Sequence, residues 1–222
     1  MCSSDLWCTY DTPMNGKRLA SAHSIVFQSR PGTPELNCCS VNGPRGLAML
    51  SDWAVMRGAD GLYLNYYGPG TFTVGADGAE AWTFVQRGGY PADGGLEIEV
   101  RPDAPRRAAL FLRIPGWSKE TVVKVNGETV PGAAAGTYLR VEREWKPGDV
   151  IAMTFDMRPR ALRGDAHVQW RSSLYRGPLL LAYDQKYNAF DPADLPELDL
   201  DTLALTPDRK STRLNSSHVS QS

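Results

Sequence analysis

The chain has 222 residues and a formal net charge of −1, with 24 basic and 25 acidic side chains. This balance argues against a nucleic-acid-binding surface, which needs a clustered basic face. No apolar run approaches the length of a membrane span, so a membrane partner is not expected either. A chain of this length can bury the core of one large domain or two small ones.

Both ends of the chain read as foreign to the protein. The tail from Asp208 matches the translation of a common sequencing-library adapter, and residues 1–5 match the reverse complement of the same oligonucleotide. The alternative, a natural Ser/Asn-rich disordered tail, would account for the C-terminal residues but not for the adapter match of residues 1–5. We therefore expect residues 1–6 and 208–222 to be adapter-derived and exclude them from the fold prediction. On this interpretation Met1 is not the natural start, and the cellular compartment stays unassigned.

A loop and then one helix are predicted in the first part of the chain. Residues 7–35 show little periodicity and are punctuated by Pro and Gly, which predicts a loop. Asn42 or Gly43 suits a helix cap and Pro44 its first turn, and the helix is predicted to end near Gly58. Apolar residues cover most of its circumference, which is typical of a buried helix. These residues are Leu47, Met49, Leu50, Trp53, Ala54 and Met56.

From Gly61 onward the pattern changes to short runs rich in Val, Tyr, Phe and Thr. Several runs alternate between apolar and polar residues, as in 96–100, and Asn126-Gly127 favours a tight hairpin. Many short strands at regular spacing predict a sandwich or barrel, so we assign residues 59–207 to a β-sandwich with an irregular stretch at 184–207. The predicted strands are 61–67, 71–74, 81–86, 96–101, 108–114, 121–125, 137–142, 150–155 and 174–183.

Cys38 and Cys39 are adjacent and lie a few residues before the predicted helix. Unpaired N–H groups and the helix dipole stabilise a thiolate at such a position, and a thiolate can be a nucleophile or a zinc ligand. Two small apolar side chains packing the helix start are the main alternative, and a disulfide between neighbours is a weaker one. With the ends excluded, Cys8 is the third cysteine, and an odd, sparse set does not predict a disulfide framework.

The segment around this pair carries a family resemblance. Residues 35–48, read as Glu-Leu-Asn-Cys-Cys-Ser-Val-Asn-Gly-Pro-Arg-Gly-Leu-Ala, resemble the Cys-Cys segment of the β-L-arabinofuranosidases of glycoside hydrolase family 127 and its relatives. The family commonly has Cys-Cys-Pro-Pro-Asn, whereas Ser40-Val41-Asn42 follows the pair here. The order of further similar motifs supports the resemblance over nearly all of residues 7–207. These motifs are residues 10–18, 60–67, 112–117, 125–127, 145–149 and 175–179.

The resemblance implies a fold and a mechanism. The fold is mainly β, a β-sandwich preceded by residues 7–58 as a short remnant (loop plus one helix) of an (α/α)6 barrel catalytic domain. Carried over by position, Cys38 would be the nucleophile of a retaining double displacement and would contact Zn2+, and Cys39 would be a second zinc ligand. A third cysteine, a glutamate ligand and the acid/base glutamate lie upstream in the family. We therefore expect tight zinc binding and cleavage of a carbohydrate substrate only in the complete enzyme.

The alternative is a non-catalytic carbohydrate-binding or structural β-sandwich. Its support is the aromatic content of the chain. A sugar-stacking platform could be formed by Trp82, Trp117, Trp145 and Trp170, although packing in the core is favoured for most of them. The oligomeric state is left open. Weaker candidates are Glu35 as half of a carboxylate pair, Cys8 as a zinc ligand, His23 in a sugar site and His167, which is predicted to be a surface residue.

Overall fold

The computed structural model describes residues 45–75, 80–165, 172–181, 205–207 and 217–219. Residues 51–181 form one compact unit, and residues 1–50 together with 182–222 form a second. Residues 45–48 are helical, and helix α1 spans Leu50–Ala54. The strands of the first unit are β1 Val55–Arg57, β2 Leu62–Leu64, β3 Gly70–Val74, β4 Trp82–Arg87, β5 Gly95–Pro102, β6 Arg106–Arg113, β7 Val122–Val125, β8 Glu128–Val130, β9 Tyr138–Trp145, β10 Asp149–Thr154, β11 Pro159–Arg163, β12 Ser172–Arg176 and β13 Leu179–Leu181.

Two sheets form the predicted β-sandwich, which is thereby confirmed. One sheet has four strands in the order β1-β2-β6-β9, and the other has six in the order β3-β4-β5-β10-β7-β8. Neighbouring strands pair antiparallel, except that β2 and β6 run parallel. Both sheets contribute buried apolar side chains to a single core, as the inner faces of a sandwich do.

The alternation predicted for residues 96–100 is present in β5. Leu96, Ile98 and Val100 are buried, whereas Glu97 between them is exposed. Since successive side chains of a strand point to opposite faces, one face of β5 lies in the core and the other carries charge. Burial of each such aliphatic side chain contributes about 1.5–3 kcal/mol relative to its exposed state.

The Asn126-Gly127 hairpin is also confirmed. Both residues have positive φ angles, 50° and 87°, as the tight turn between β7 and β8 requires. The Asn126 side chain donates to Asp149 Oδ1 at 2.8 Å and accepts from the Val150 N–H at 2.8 Å. The Asn126 side chain therefore holds the hairpin against the start of β10 through these two hydrogen bonds.

The predicted helix differs from the observed one. It was expected to continue to Gly58, but α1 ends at Ala54 and the chain continues as β1. Val55 pairs with Leu64 in the antiparallel ladder of β1 and β2, and the Ala54 carbonyl accepts from the Asn65 N–H at 2.8 Å. Pairing with β2 therefore prevails over the helical periodicity of this segment. Of the six apolar residues on which the buried helix was predicted, only Ala54 is buried. Leu47, Met49, Leu50, Trp53 and Met56 are each more than a third exposed, so the prediction of a helix buried all round is wrong.

A small third sheet follows the sandwich in the order β11-β12-β13. β11 is not among the predicted strands, because its side chains are mostly exposed and do not alternate. Gly177, at φ 55°, makes the turn between β12 and β13, where an added Cβ would lie 2.4 Å from Met157 Sδ. In the second compact unit, β14 Leu205–Pro207 pairs antiparallel with β15 Ser217–Val219.

Candidate functional site

The predicted catalytic and zinc-binding residues, Cys38 and Cys39, lie outside the described residues. The same holds for four weaker candidates and for one tryptophan, namely Cys8, His23, Glu35, His167 and Trp170. Within the described ranges, no group of three or more His, Cys, Asp or Glu side chains is placed to hold a metal ion. The described part of the chain contains no helix that is both long and apolar enough to cross a membrane.

Three of the four tryptophans proposed for sugar stacking can be placed. Trp82 and Trp145 are 1% and 0% exposed and belong to the sandwich core, which confirms core packing for both. The Trp145 indole N–H donates to the Ala108 carbonyl at 3.2 Å, as a buried indole requires. Trp117 is half-buried and lines an open cleft, so it alone of these three is accessible to a ligand.

The structure reveals a recess at one end of the four-stranded sheet, here called the Trp53 recess. It has a volume of about 450 Å³ and is lined by Trp53, Met56, Asn65, Tyr66, Arg113 and Tyr138. The side chains of Trp53, Tyr66 and Tyr138 are each about two-fifths exposed. The recess therefore combines exposed rings with one cation and one amide.

Asn65, directly after β2, fixes the geometry of this recess. Its side-chain Nδ2 donates to the Trp53 carbonyl at 2.9 Å, and its Oδ1 accepts from the Tyr138 hydroxyl at 2.6 Å. The Asn65 carbonyl accepts from Arg113 at 3.4 Å, and the Arg113 guanidinium lies 5.9 Å from the centre of the Tyr66 ring. Three segments that are distant in sequence are thus held together by one amide side chain.

An apolar row continues from the recess across the outer face of the same sheet. The strand register places Met56 beside Tyr63 and Tyr63 beside Phe111. The Tyr63 and Phe111 rings stack with centroids 4.3 Å apart, and Tyr138 packs edge-on to Tyr63 at 5.3 Å. This row is not among the predicted features, although the sequence carries a signal of it. Residues 110–112 are apolar on both faces of a strand, where a solvent-facing side is ordinarily polar.

Tyr63 and Tyr67, which lie beside the recess, are not acid/base groups at neutral pH. A hydrogen bond to Asp60, at 2.8 Å, is the main cause of the raised pKa of Tyr63. Burial raises the pKa of Tyr67, whose hydroxyl donates to the Arg113 carbonyl at 3.0 Å. Both phenols stay protonated, so they can stack and donate hydrogen bonds but cannot abstract a proton.

A second opening, the Trp117 cleft, lies between the sandwich and the third sheet. Its volume is about 580 Å³, and it is lined by Gly116, Trp117, Lys119, Asp156, Arg158, Pro159 and Arg160. Asp156 accepts two side-chain hydrogen bonds from Arg158, at 2.8 and 2.7 Å, in the bidentate geometry of a strong pair. This pairing lowers the pKa of Asp156 to about 2, so Asp156 is a fixed anion and not a general acid.

The comparisons with known proteins agree with one another. Residues 61–157 match the GH127 middle domain of the β-L-arabinofuranosidases. A solved structure described as a glycoside hydrolase is 32% identical, with a TM-score of 0.58 over 64% of this chain and 24% of that one. A GH127 β-L-arabinofuranosidase from Geobacillus stearothermophilus T6 is 28% identical, with a TM-score of 0.58 over 64% of this chain and 23% of that one.

A third solved structure, described as a GH127 β-arabinofuranosidase, is 26% identical, with a TM-score of 0.58 over 70% of this chain and 27% of that one. The comparison with curated proteins gave no match. The chain thus spans about a quarter of the length of the solved structures that it matches. The match of residues 61–157 and the shared fold confirm the family resemblance read from the sequence: the β-sandwich of this chain is similar to the GH127 middle domain of the β-L-arabinofuranosidases.

Proposed function

We propose that this chain is part of a retaining glycoside hydrolase that cleaves β-L-arabinofuranosyl or similar linkages. One observation carries the proposal: the vicinal pair Cys38-Cys39 lies directly upstream of a domain that matches the GH127 middle domain. The order of the cysteine pair and the sandwich is the order that the family resemblance implies. Since the chain spans about a quarter of the matched structures, the activity is proposed for a longer protein that includes this chain.

In the proposed reaction, the Cys38 thiolate attacks the anomeric carbon of the sugar. A carbon–sulfur bond forms as the glycosidic carbon–oxygen bond breaks, and a general acid outside this chain protonates the leaving oxygen. Water then attacks the same carbon and gives a proton back to the deprotonated acid, and the thiolate departs with the electron pair of the carbon–sulfur bond. Two inversions at one carbon give net retention of configuration.

The family resemblance assigns Cys38 and Cys39 as the zinc ligands in this chain. A bound zinc ion would keep the Cys38 sulfur in its thiolate form by lowering its pKa. A closed zinc site ordinarily has four protein ligands, so the remaining ligands would come from upstream of this chain. Tight zinc binding is therefore proposed for the longer protein and not for the 222-residue chain.

The test is a set of cysteine variants in the longer protein, assayed on an aryl β-L-arabinofuranoside. We expect Cys38→Ala to lower kcat by at least about a thousandfold, because the alanine side chain cannot attack the anomeric carbon. Cys39→Ala is expected to lower both the zinc content and kcat, whereas Cys8→Ala, which tests the weaker candidate for a zinc ligand, is expected to leave both near normal. Near-normal turnover of Cys38→Ala would disprove the nucleophile assignment.

A further inference from the structure

The Trp117 cleft has an excess of cationic side chains. Three of its lining residues are basic, and Arg158 is already paired with Asp156 and, at 3.0 Å, with Glu120. Lys119 and Arg160 have no carboxylate within ion-pair distance among the described residues. The two acidic side chains neutralise only part of the basic charge, so the cleft retains positive charge for an anionic ligand.

Arg160 is held in place, and one of its N–H groups is buried without a partner in the part of the chain that the structure describes. Its guanidinium lies 4.4 Å from the centre of the Tyr175 ring, and its Nη2 donates to the Gly177 carbonyl at 3.2 Å. Its Nε is buried and has no hydrogen-bond partner among the described residues. A guanidinium fixed by stacking loses little freedom on binding, which favours recognition of a planar carboxylate.

The turn that carries Trp117 is also fixed. Ser118 is fully buried, its N–H donates to the Pro115 carbonyl at 3.1 Å, and its Oγ accepts from the Asp156 N–H at 2.9 Å. Trp117 packs against Phe155, with ring centroids 5.9 Å apart. The indole is thus anchored to the strand end after β10 and remains half-exposed along the cleft.

We propose that the Trp117 cleft binds a carboxylated sugar, a uronic acid unit of an oligosaccharide. Trp117 offers an apolar ring face for the sugar, and Lys119 and Arg160 supply the donors for its carboxylate. The choice of a saccharide rests on the proposed function, whereas the choice of an acidic one rests on the charges of the cleft. This is a binding site that acts without catalysis and whose occupancy can be measured on the present chain.

The test is isothermal titration of the full chain with a trisaccharide of galacturonic acid and with the matched neutral galactose trisaccharide. We expect only the acidic trisaccharide to bind, and its Kd to weaken as the salt concentration is raised. Because no turnover is measured, failure of the catalytic proposal would leave this result unaffected. Equal affinity for the neutral sugar, or no binding of either sugar, would overturn the proposal.

Variants locate the site. Lys119→Gln, at an exposed position, and Arg160→Gln are each expected to weaken the acidic trisaccharide about tenfold, the loss of one charge-assisted hydrogen bond. Lys124→Gln, an exposed lysine on β7 outside the cleft, is the matched control and should bind as the parent chain does. Unchanged affinity in Lys119→Gln and Arg160→Gln would overturn the assignment. Inorganic phosphate binding as tightly as the sugar would also overturn it, since it would reveal a simple anion site.

Discussion

Asp149 is the residue on which two turns of the sandwich depend. Its Oδ1 accepts from Asn126 Nδ2 at 2.8 Å, and its Oδ2 accepts from the Lys146 N–H at 2.8 Å. Burial alone would raise its pKa, but the hydrogen bonds from Asn126 and Lys146 and the nearby Arg143 leave the pKa below its ordinary value. The carboxylate is therefore stabilised as an anion in the folded state, and it joins the β7–β8 hairpin to the turn before β10.

We expect Asp149→Asn to destabilise the protein by roughly 1–3 kcal/mol, because the new NH2 group would face one of the two donors. Because the pKa of the Asp149 carboxyl is lower in the folded than in the unfolded state, its ionised form stabilises the fold. This stabilisation is fully present above the unfolded-state pKa of about 4, and it is lost as the pH falls through the folded-state pKa. The loss in free energy of unfolding caused by Asp149→Asn, measured by urea unfolding, should therefore be largest at pH 7 and become smaller in acid. Exposed Asp165→Asn is the control. A deficit that persists unchanged in acid would contradict the role of the charge.

The sequence identifies Trp117 as a candidate ligand-contacting side chain, but it carries no local signal for Tyr66 and Arg113. Trp117 was among four tryptophans weighed for stacking, and the structure leaves it accessible in a cleft. Nothing local marks Tyr66 and Arg113 as neighbours, because 46 residues of sequence separate the two and only the parallel pairing of β2 with β6 brings them together. The roles of Cys38 and Cys39 stay predictions, since they lie outside the described residues.

At the scale of elements, the parallel pair β2 and β6 depends on a close approach at Gly61. This residue has φ 156°, and an added Cβ would lie 2.2 Å from the Ala109 carbonyl oxygen. Any side chain would therefore push the start of β2 away from β6. The register that places Leu62 beside Leu110 begins at the next residue.

We expect Gly61→Ala to lower the free energy of unfolding by roughly 1–3 kcal/mol, the usual cost of forcing extra atoms into a packed site. Thermal unfolding followed by circular dichroism measures the change. Gly68→Ala is the matched control, because nothing lies within 4 Å of its added Cβ. Equal melting temperatures of the two variants would show that β2 can move away from β6 without a loss of stability.

The strands were easier to predict than the first helix. Alternation in β5 and the Asn-Gly turn after β7 are local signals, and the structure confirms both. The end of α1 is set by the ladder between β1 and β2, a tertiary interaction that the helical spacing of apolar residues does not contain. β11 is exposed along most of its length, so its pairing with β12 also left no periodic signal.

At the scale of the whole molecule, residues 51–181 contain both sheets of the sandwich and the third sheet. All the core residues that the structure describes, from Val55 to Phe155, lie within this range, so we expect a chain of residues 51–181 to fold by itself. It should unfold in one cooperative transition, with a melting temperature close to that of the 222-residue chain. The measurement is differential scanning calorimetry of both chains. Absence of a cooperative transition in the shorter chain would show that the sandwich needs residues outside 51–181.

The parallel contact between β2 and β6 has a kinetic consequence. Leu62 pairs with Leu110, so closing this contact orders a loop of nearly fifty residues that includes β3, β4 and β5. Those three strands pair in sequence order through short connections, and short-range contacts form before distant ones because loop closure costs less entropy. The antiparallel meander of the six-stranded sheet should therefore form early, and the four-stranded sheet should be completed late, when β2 meets β6. Folding of this domain is then limited by the search for the long-range registers of β2 with β6 and of β5 with β10, and not by the formation of its hairpins.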